Sequence, residues 1–170
     1  MNRLQLISLS AIPLMFSSLL TFAQDDEWDE EKLPPAHIQN VADFQALIQQ
    51  ADKENKVILL EMSASYCGYC ETLEEHIIKP MIRSGDYEDY VLIRKLDIDS
   101  RYPMKDIDGS TSSPAQIAYR LNVSLTPTLL FLDGKGNEVS ERILGVNTLE
   151  LYGAYVDEAL LQGQQKLKLN

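Results

Sequence analysis

The chain of 170 residues carries 26 acidic and 15 basic side chains, a net charge of -11 at pH 7, and 45% of its residues are hydrophobic. This length and apolar content suit one domain with one core. The acidic excess argues against nucleic acid as a partner, because phosphate binding needs a clustered basic face. The acidity by itself indicates a well-solvated surface.

The first 23 residues have the features of a secretory signal peptide. Arg3 precedes an apolar stretch over residues 4–20, and Thr21-Phe22-Ala23 has the small-x-small pattern of a cleavage site. Pro13 and the acidic residues Asp25-Asp26-Glu27 argue against a retained membrane anchor. We therefore predict export to a bacterial periplasm.

The segment 24–40 is acidic and contains Pro34-Pro35, which is typical of an extended, flexible leader. A single domain is then predicted over residues 41–170. Its first element is a helix from Val41, where apolar residues recur with helical spacing and Asn40 or Asp43 can serve as the N-cap.

Both cysteines of the chain, Cys67 and Cys70, follow a short apolar run at residues 56–62. That run predicts a buried strand with a single acidic residue, Glu61, inside it. Apolar residues with helical spacing come next, and Pro80 predicts a kink or break among them. The cysteines therefore lie at a strand-to-helix junction.

A Cys-x-x-Cys pair at the start of a helix favours redox exchange, because the helix N-terminus stabilises the thiolate of the first cysteine. The same motif also occurs in zinc and haem sites. A zinc site needs four ligands, and beyond the cysteines the only histidines are His37 and His76. Glu71 stands where a haem attachment motif has histidine. We therefore predict a catalytic pair and no metal.

The remaining chain predicts alternating strands and helices. Its predicted elements are a core strand at 90–98, a long loop at 100–113, a helix at 114–121, a hairpin of strands at 128–132 and 138–143, and a final helix at 148–161. The aspartates near the loop do not complete a calcium-binding loop. This order predicts an α/β fold whose sheet is covered on both faces.

Residues 41–161 resemble the thioredoxin superfamily, and most closely its exported SoxW-type and related periplasmic members. Glu61, six residues before Cys67, resembles the family's buried acid, and Lys95 resembles the lysine that faces this acid. Thr126-Pro127 resembles the cis-proline loop. The resemblance implies the thioredoxin fold, with a central mixed sheet flanked by helices on both faces.

The catalytic residues expected on this basis are Cys67, Cys70, Glu61 and Lys95. Cys67 is the expected nucleophile, with a lowered thiol pKa, and Cys70 is the buried resolving thiol. Glu61 is expected to be protonated or paired with Lys95, and to accept the proton of Cys70. The redox-active disulfide itself is the only cofactor predicted.

Substrate binding is assigned to Tyr66, Gly68, Tyr69, Thr126 and Pro127, with the cis proline exposing backbone to a bound strand. Tyr66 replaces the tryptophan common in thioredoxins. Cys-Gly-Tyr-Cys with threonine before the proline is similar to DsbC-type isomerases, which carry a separate dimerisation domain that the short leader cannot supply.

We therefore predict a monomeric thiol-disulfide oxidoreductase that reduces protein or small-molecule disulfides. Its recharging partner is unidentified, and a membrane electron donor is one candidate. The alternatives are a monomeric isomerase or oxidase, and a non-catalytic binding module with the same fold. Sequence does not decide among them, since they differ in reduction potential and redox partner.

Overall fold

A computed structural model describes residues 35–169. The predicted signal peptide and most of the predicted leader lie outside these residues. The helices are α1 (Phe44–Glu54), α2 (Gly68–Leu73), α3 (Lys79–Ser84), α4 (Pro114–Arg120) and α5 (Leu149–Lys168). The strands are β1 (Gln39–Asn40), β2 (Val57–Ser63), β3 (Val91–Asp97), β4 (Met104–Lys105), β5 (Thr111–Ser112), β6 (Thr128–Leu132) and β7 (Ile143–Leu144).

Five strands form one mixed sheet in the order β1-β3-β2-β6-β7. β1, β3 and β2 are parallel, and β6 and β7 are antiparallel to their neighbours. All of β2 is buried, and its side chains alternate between two cores. Ile58 and Leu60 pack in the core that contains α1 and α4, while Val57 and Leu59 pack in the core that contains α3 and α5. The predicted α/β class, with helices on both faces, is confirmed.

The edge strand β1 lies in the segment that the sequence predicts as a flexible leader. Its residues pair with β3 at Arg94 and Lys95, and the Val41 N–H donates to the Lys95 carbonyl at 2.8 Å. The first helix therefore begins at Phe44 rather than Val41, with Asp43 as its N-cap. Pairing of two main chains leaves no pattern in side-chain composition, so the strand could not be predicted.

Residues 100–113 are not the structureless loop that composition predicts. They contain the hairpin of β4 and β5, in which the Asp106 N–H donates to the Ser110 carbonyl at 2.8 Å. Met104 is buried in the core with α1, and Asp106 is buried and ion-paired with Arg120. Strands of two residues depend on such anchoring to the rest of the domain rather than on a local pattern.

The predicted break near Pro80 is a π-helical turn, Glu74–Ile78, between α2 and α3. Proline has no N–H to donate, and its ring collides with the carbonyl four residues earlier, here that of His76. A wider π turn directly before the proline accommodates both effects.

The predicted C-terminal hairpin is present, but its second strand is interrupted. Glu138 bridges to Leu132, and β7 pairs with Thr128 and Leu129 after a short gap. The last helix, α5, continues seven residues beyond its predicted end, to Lys168. Among residues 35–169, no helix has the length and apolar content needed to cross a membrane.

Candidate active site

Cys67 and Cys70 lie at the start of α2, a few residues after the end of β2, and they form a disulfide. Cys67 is the N-cap of α2, and the Cys70 N–H donates to Cys67 Sγ at 3.1 Å. A backbone donor aimed at this sulfur favours its thiolate form after reduction. Cys70 is 1% exposed and Cys67 is 9% exposed, so the first sulfur is the more accessible one.

Glu61 lies in β2, six residues before Cys67, and is completely buried. Neither of its carboxyl oxygens has a hydrogen-bond partner among the described residues. Burial, with the nearby negative charge of Glu74 as a second cause, raises the pKa of Glu61 to about 8. Glu61 is therefore mainly protonated at neutral pH, one of the two states expected from the sequence.

Lys95 does not form the expected pair with Glu61. The two residues are register partners in β2 and β3, but the Lys95 ammonium donates to Glu74 Oε1 at 3.0 Å and lies 3.8 Å from Asp97 Oδ1. Partial burial works against the charge of Lys95, yet the hydrogen bond to Glu74 raises the pKa of this lysine. Backbone register therefore makes Glu61 and Lys95 neighbours, but it does not determine which carboxylate the lysine ammonium contacts.

The Thr126-Pro127 peptide bond is cis, as the resemblance implies. Thr128 pairs with Met62 in the antiparallel β6-β2 ladder, so the proline lies at the end of β2 from which the cysteines follow. The Gly145 N–H donates to the Pro127 carbonyl at 2.8 Å, and the buried Tyr152 hydroxyl donates to the Gly145 carbonyl at 3.0 Å. These two hydrogen bonds fix the position of the cis-proline loop.

Two tyrosines lie on either side of Cys67-Gly68 at the start of α2. Tyr66 is 76% exposed and Tyr69 is 67% exposed. A Cβ atom added at Gly68 would meet nothing within 4 Å, so the backbone here is open to an approaching chain. Exposed aromatic rings beside an accessible sulfur are suited to docking a protein partner.

A cleft of about 450 Å³ opens beside the disulfide. Its lining includes both cysteines, Ser65, Lys95 and four carboxylates, those of Glu71, Glu74, Asp97 and Asp99. The hydroxyl and N–H of Ser65 donate to Asp99, and these hydrogen bonds lower the pKa of Asp99. Residues 35–169 contain no group of three or more histidine, cysteine or acidic side chains arranged to hold a metal ion.

Three residues of this cleft were not predicted from the sequence: Glu74, Asp99 and Ser65. Glu74 lies one helical turn after Cys70, a spacing that could have suggested it. Asp99 follows the carboxyl end of β3, beside the equivalent end of the parallel strand β2. This shared sheet edge is the signal that could have identified Asp99.

A Cys-x-x-Cys disulfide at the start of a helix, with a cis-proline loop at the same end of the sheet, defines a thiol-disulfide oxidoreductase of the thioredoxin type. The chain belongs to the thioredoxin-like domain family, whose sequence model matches residues 44–160. The superfamily expected from the motifs is therefore confirmed.

Several curated relatives of this chain carry the name thiol:disulfide interchange protein DsbD. The protein from Tatumella citrea is 26% identical over 118 residues, which cover 68% of this chain and 18% of that protein. The protein from Yersinia enterocolitica is 26% identical over 145 residues, which cover 83% of this chain and 23% of that protein. The chain thus spans about a fifth of the length of these relatives.

Two solved structures illustrate the shared fold. Oxidised thioredoxin O2 from Arabidopsis thaliana has a TM-score of 0.53 and 22% identity, over 72% of this chain and 94% of that one. The structure titled DsbH oxidoreductase has a TM-score of 0.54 and 16% identity, over 74% of this chain and 87% of that one. At these sequence identities, the structural similarity shows only that the proteins share a fold.

Proposed function

We propose that this chain is an exported, periplasmic enzyme that reduces the disulfides of proteins or small molecules through the Cys67-Cys70 couple. It acts as a monomer and needs no cofactor beyond that couple. The observation on which this proposal rests is the hydrogen bond from the Cys70 N–H to Cys67 Sγ at the start of α2. The signal-peptide pattern supports export, and the name of the DsbD relatives supports disulfide exchange.

The reaction begins from the reduced dithiol. The Cys67 thiolate attacks one sulfur of the substrate disulfide, whose S–S bond breaks as the first substrate thiol leaves. The Cys70 thiolate then attacks Cys67 Sγ, which forms the Cys67-Cys70 disulfide and releases the second substrate thiol. The substrate gains two electrons and two protons, and the dithiol loses them.

Glu61 is the proposed acceptor for the proton of Cys70 in the second step. Only its carboxylate form can accept a proton, and a pKa of about 8 leaves this form in the minority at pH 7. Resolution of the mixed disulfide is therefore expected to become faster as the pH rises toward 8.

The charge around the cleft supports the reductive direction. A couple is oxidising when its reduced thiolate is strongly stabilised. Here Gly68 and Tyr69 bring no positive charge between the cysteines, and the four cleft carboxylates oppose a further negative charge on Cys67. The reduced form thus gains less stabilisation, and the couple is better suited to donate electrons.

The proposal is tested by insulin reduction and by a redox titration against glutathione. We expect catalysis by the wild type, none by Cys67→Ser, and a trapped mixed disulfide without turnover in Cys70→Ser. The reduction potential is expected nearer to about -270 mV than to about -120 mV. A potential near the upper value would indicate an oxidase.

Two alternatives have distinct outcomes. The Cys-Gly-Tyr-Cys motif with Thr126 before the cis proline favours a monomeric isomerase, which would refold scrambled ribonuclease faster than it reduces insulin. A binding module would catalyse neither insulin reduction nor ribonuclease refolding.

The location is tested by fractionation of cells that produce the full chain. The partner that recharges the couple, for which a membrane electron donor is one candidate, can be captured with Cys70→Ser.

A further inference from the structure

Glu61 and Lys95 lie side by side in the sheet but do not bind each other. They are partners in the parallel β2-β3 register, so both side chains point to the same face of the sheet. Glu61 is the buried acid without a hydrogen-bond partner, whereas the Lys95 ammonium contacts two other carboxylates.

The charged and titratable groups that influence Glu61 come from three elements. Lys95 and Asp97 belong to β3, Glu74 to the π turn, and Tyr152 to α5. The Tyr152 hydroxyl donates to the Gly145 carbonyl, and the β6 partner of Glu61 is the apolar Leu129. Lys95 is therefore the cation available to Glu61 among these groups.

Glu74 is the nearest carboxylate to this cation. Its Oε1 lies 3.0 Å from Lys95 Nζ, against 3.8 Å for Asp97, and the Glu74 and Lys95 side chains are only 15% and 19% exposed. Glu74 is also the first residue of the π turn, a feature that occurs often at functional sites. The contact is thus partly shielded from water and holds the ammonium firmly.

We propose that Glu74 is a positioning residue: it binds the Lys95 ammonium and so keeps Glu61 an unpaired, protonated acid in the strand that leads to the redox site. Two effects of Glu74 act in the same direction. Its own negative charge opposes ionisation of Glu61, and its contact with Lys95 withholds the cation that would favour ionisation. This inference rests on the proposed thiol-disulfide exchange, because it assigns a support to the acid of that reaction.

The test follows the titration of Glu61 by infrared difference spectroscopy in the oxidised, full-length protein. The protonated carboxyl band is assigned by its loss in Glu61→Gln. In Glu74→Gln we expect the midpoint of this band to shift downward by about one pH unit or more, since a released ammonium next to a carboxyl typically lowers its pKa by that amount.

Glu75→Gln is the matched control. Glu75 is the neighbouring glutamate in the same π turn, but it is paired with Lys79 and is exposed. The control removes the same charge from the same turn and is expected to leave the midpoint of Glu61 unchanged. An equal shift in both variants, or no shift in Glu74→Gln, would overturn the inference.

Lys95→Gln distinguishes two effects of Glu74 on Glu61: withholding of the Lys95 ammonium, and direct repulsion between the two carboxylates. If Glu74 holds the ammonium, Lys95→Gln moves the midpoint of Glu61 upward by less than Glu74→Gln moves it downward, and the effect of Glu74→Gln shrinks when Lys95 is already replaced. Equal effects of Glu74→Gln in both backgrounds would contradict the proposal. If Glu74→Gln does not fold, Lys95→Gln alone decides the matter: an upward shift of less than about one pH unit supports the proposal, and a larger shift would show that the lysine acts directly on Glu61.

The infrared titration needs no turnover, so it tests the role of Glu74 independently of the proposed function. The titration can contradict the role of Glu74 while insulin reduction succeeds, and it can support that role while insulin reduction fails. Within the reaction, a lower pKa of Glu61 in Glu74→Gln is expected to move the pH profile of mixed-disulfide resolution to lower pH. Glu74 is also one of the cleft carboxylates that oppose the Cys67 thiolate, so the pH profile of the first attack in this variant is expected to move to lower pH whether or not Lys95 is present. Loss of packing alone would lower both rates without moving either pH profile.

Discussion

Glu61 illustrates how a single buried side chain couples chemistry to stability. Its environment raises the pKa to about 8, because a carboxylate without partners is poorly solvated inside the sheet. The sequence was sufficient to predict that Glu61 is an acid inside a buried strand and that Cys67 and Cys70 lie at the start of a helix. The location of the Lys95 ammonium was not predictable, because it depends on Glu74, which reaches β3 only after α2 and the π turn have packed.

We expect the stability of the protein to fall between about pH 4.5 and pH 8 in proportion to this shift. The pKa of Glu61 is higher in the folded than in the unfolded chain, so the folded state retains its proton and its advantage is lost as the pH rises through 8. The full effect approaches about 5 kcal/mol. Glu61→Gln should lack this slope in urea unfolding of the oxidised protein at pH 5 and pH 8.

Glu158→Gln provides the control for that measurement. Glu158 lies on the exposed side of α5 and accepts a hydrogen bond from Gln162. The change in stability between pH 5 and pH 8 should be the same in this variant as in the wild type. Parallel pH curves for Glu61→Gln and the wild type would show that Glu61 ionises in the folded protein much as it does in water.

At the scale of elements, the hairpin of β4 and β5 is the largest difference from the predicted structure. It is held by Met104 in the core, by the Asp43-Lys105 bridge and by the ion pair of Asp106 with Arg120. Serine, aspartate, glycine and proline made this segment resemble a loop, and no local pattern in 100–113 signals these distant contacts.

Met104→Ala is expected to reduce the free energy of unfolding by about 2–5 kcal/mol, the usual cost of such a cavity in a core. Tyr102→Ala, two residues earlier and 83% exposed, should change it by less than about 0.5 kcal/mol. Urea denaturation of both variants provides the comparison. Similar small effects would mean that the hairpin is a peripheral loop rather than a part of the core.

For the whole molecule, the sign of the charge is the dominant property. The net charge of -11 is accompanied by four carboxylates around the disulfide cleft, where Lys95 is the cation in the lining. Fields of one sign steer oppositely charged reactants toward a cleft and are weakened by salt. Composition predicts the overall charge, whereas its concentration at the redox site depends on the fold.

The reduced protein is therefore expected to react faster with cystamine, a dication, than with dithiodiglycolate, a dianion. At low ionic strength the ratio should be about tenfold or more after correction for the reactivity of each disulfide with the neutral thiol 2-mercaptoethanol, and it should shrink as salt is added. Stopped-flow kinetics provide the measurement. A ratio near one at all salt concentrations would show that the carboxylates do not influence the approach.

The sequence by itself determined the class of fold, the redox pair, the buried acid and the proline loop. These features depend on short-range patterns: the period of apolar residues, the spacing of two cysteines and the chemistry of Thr126-Pro127. Only the tertiary structure decided that β1 joins the sheet, that the 100–113 segment forms an anchored hairpin and that Lys95 binds Glu74 rather than Glu61. Each of these depends on groups far apart in the chain, whose contacts form only when register and packing bring them together.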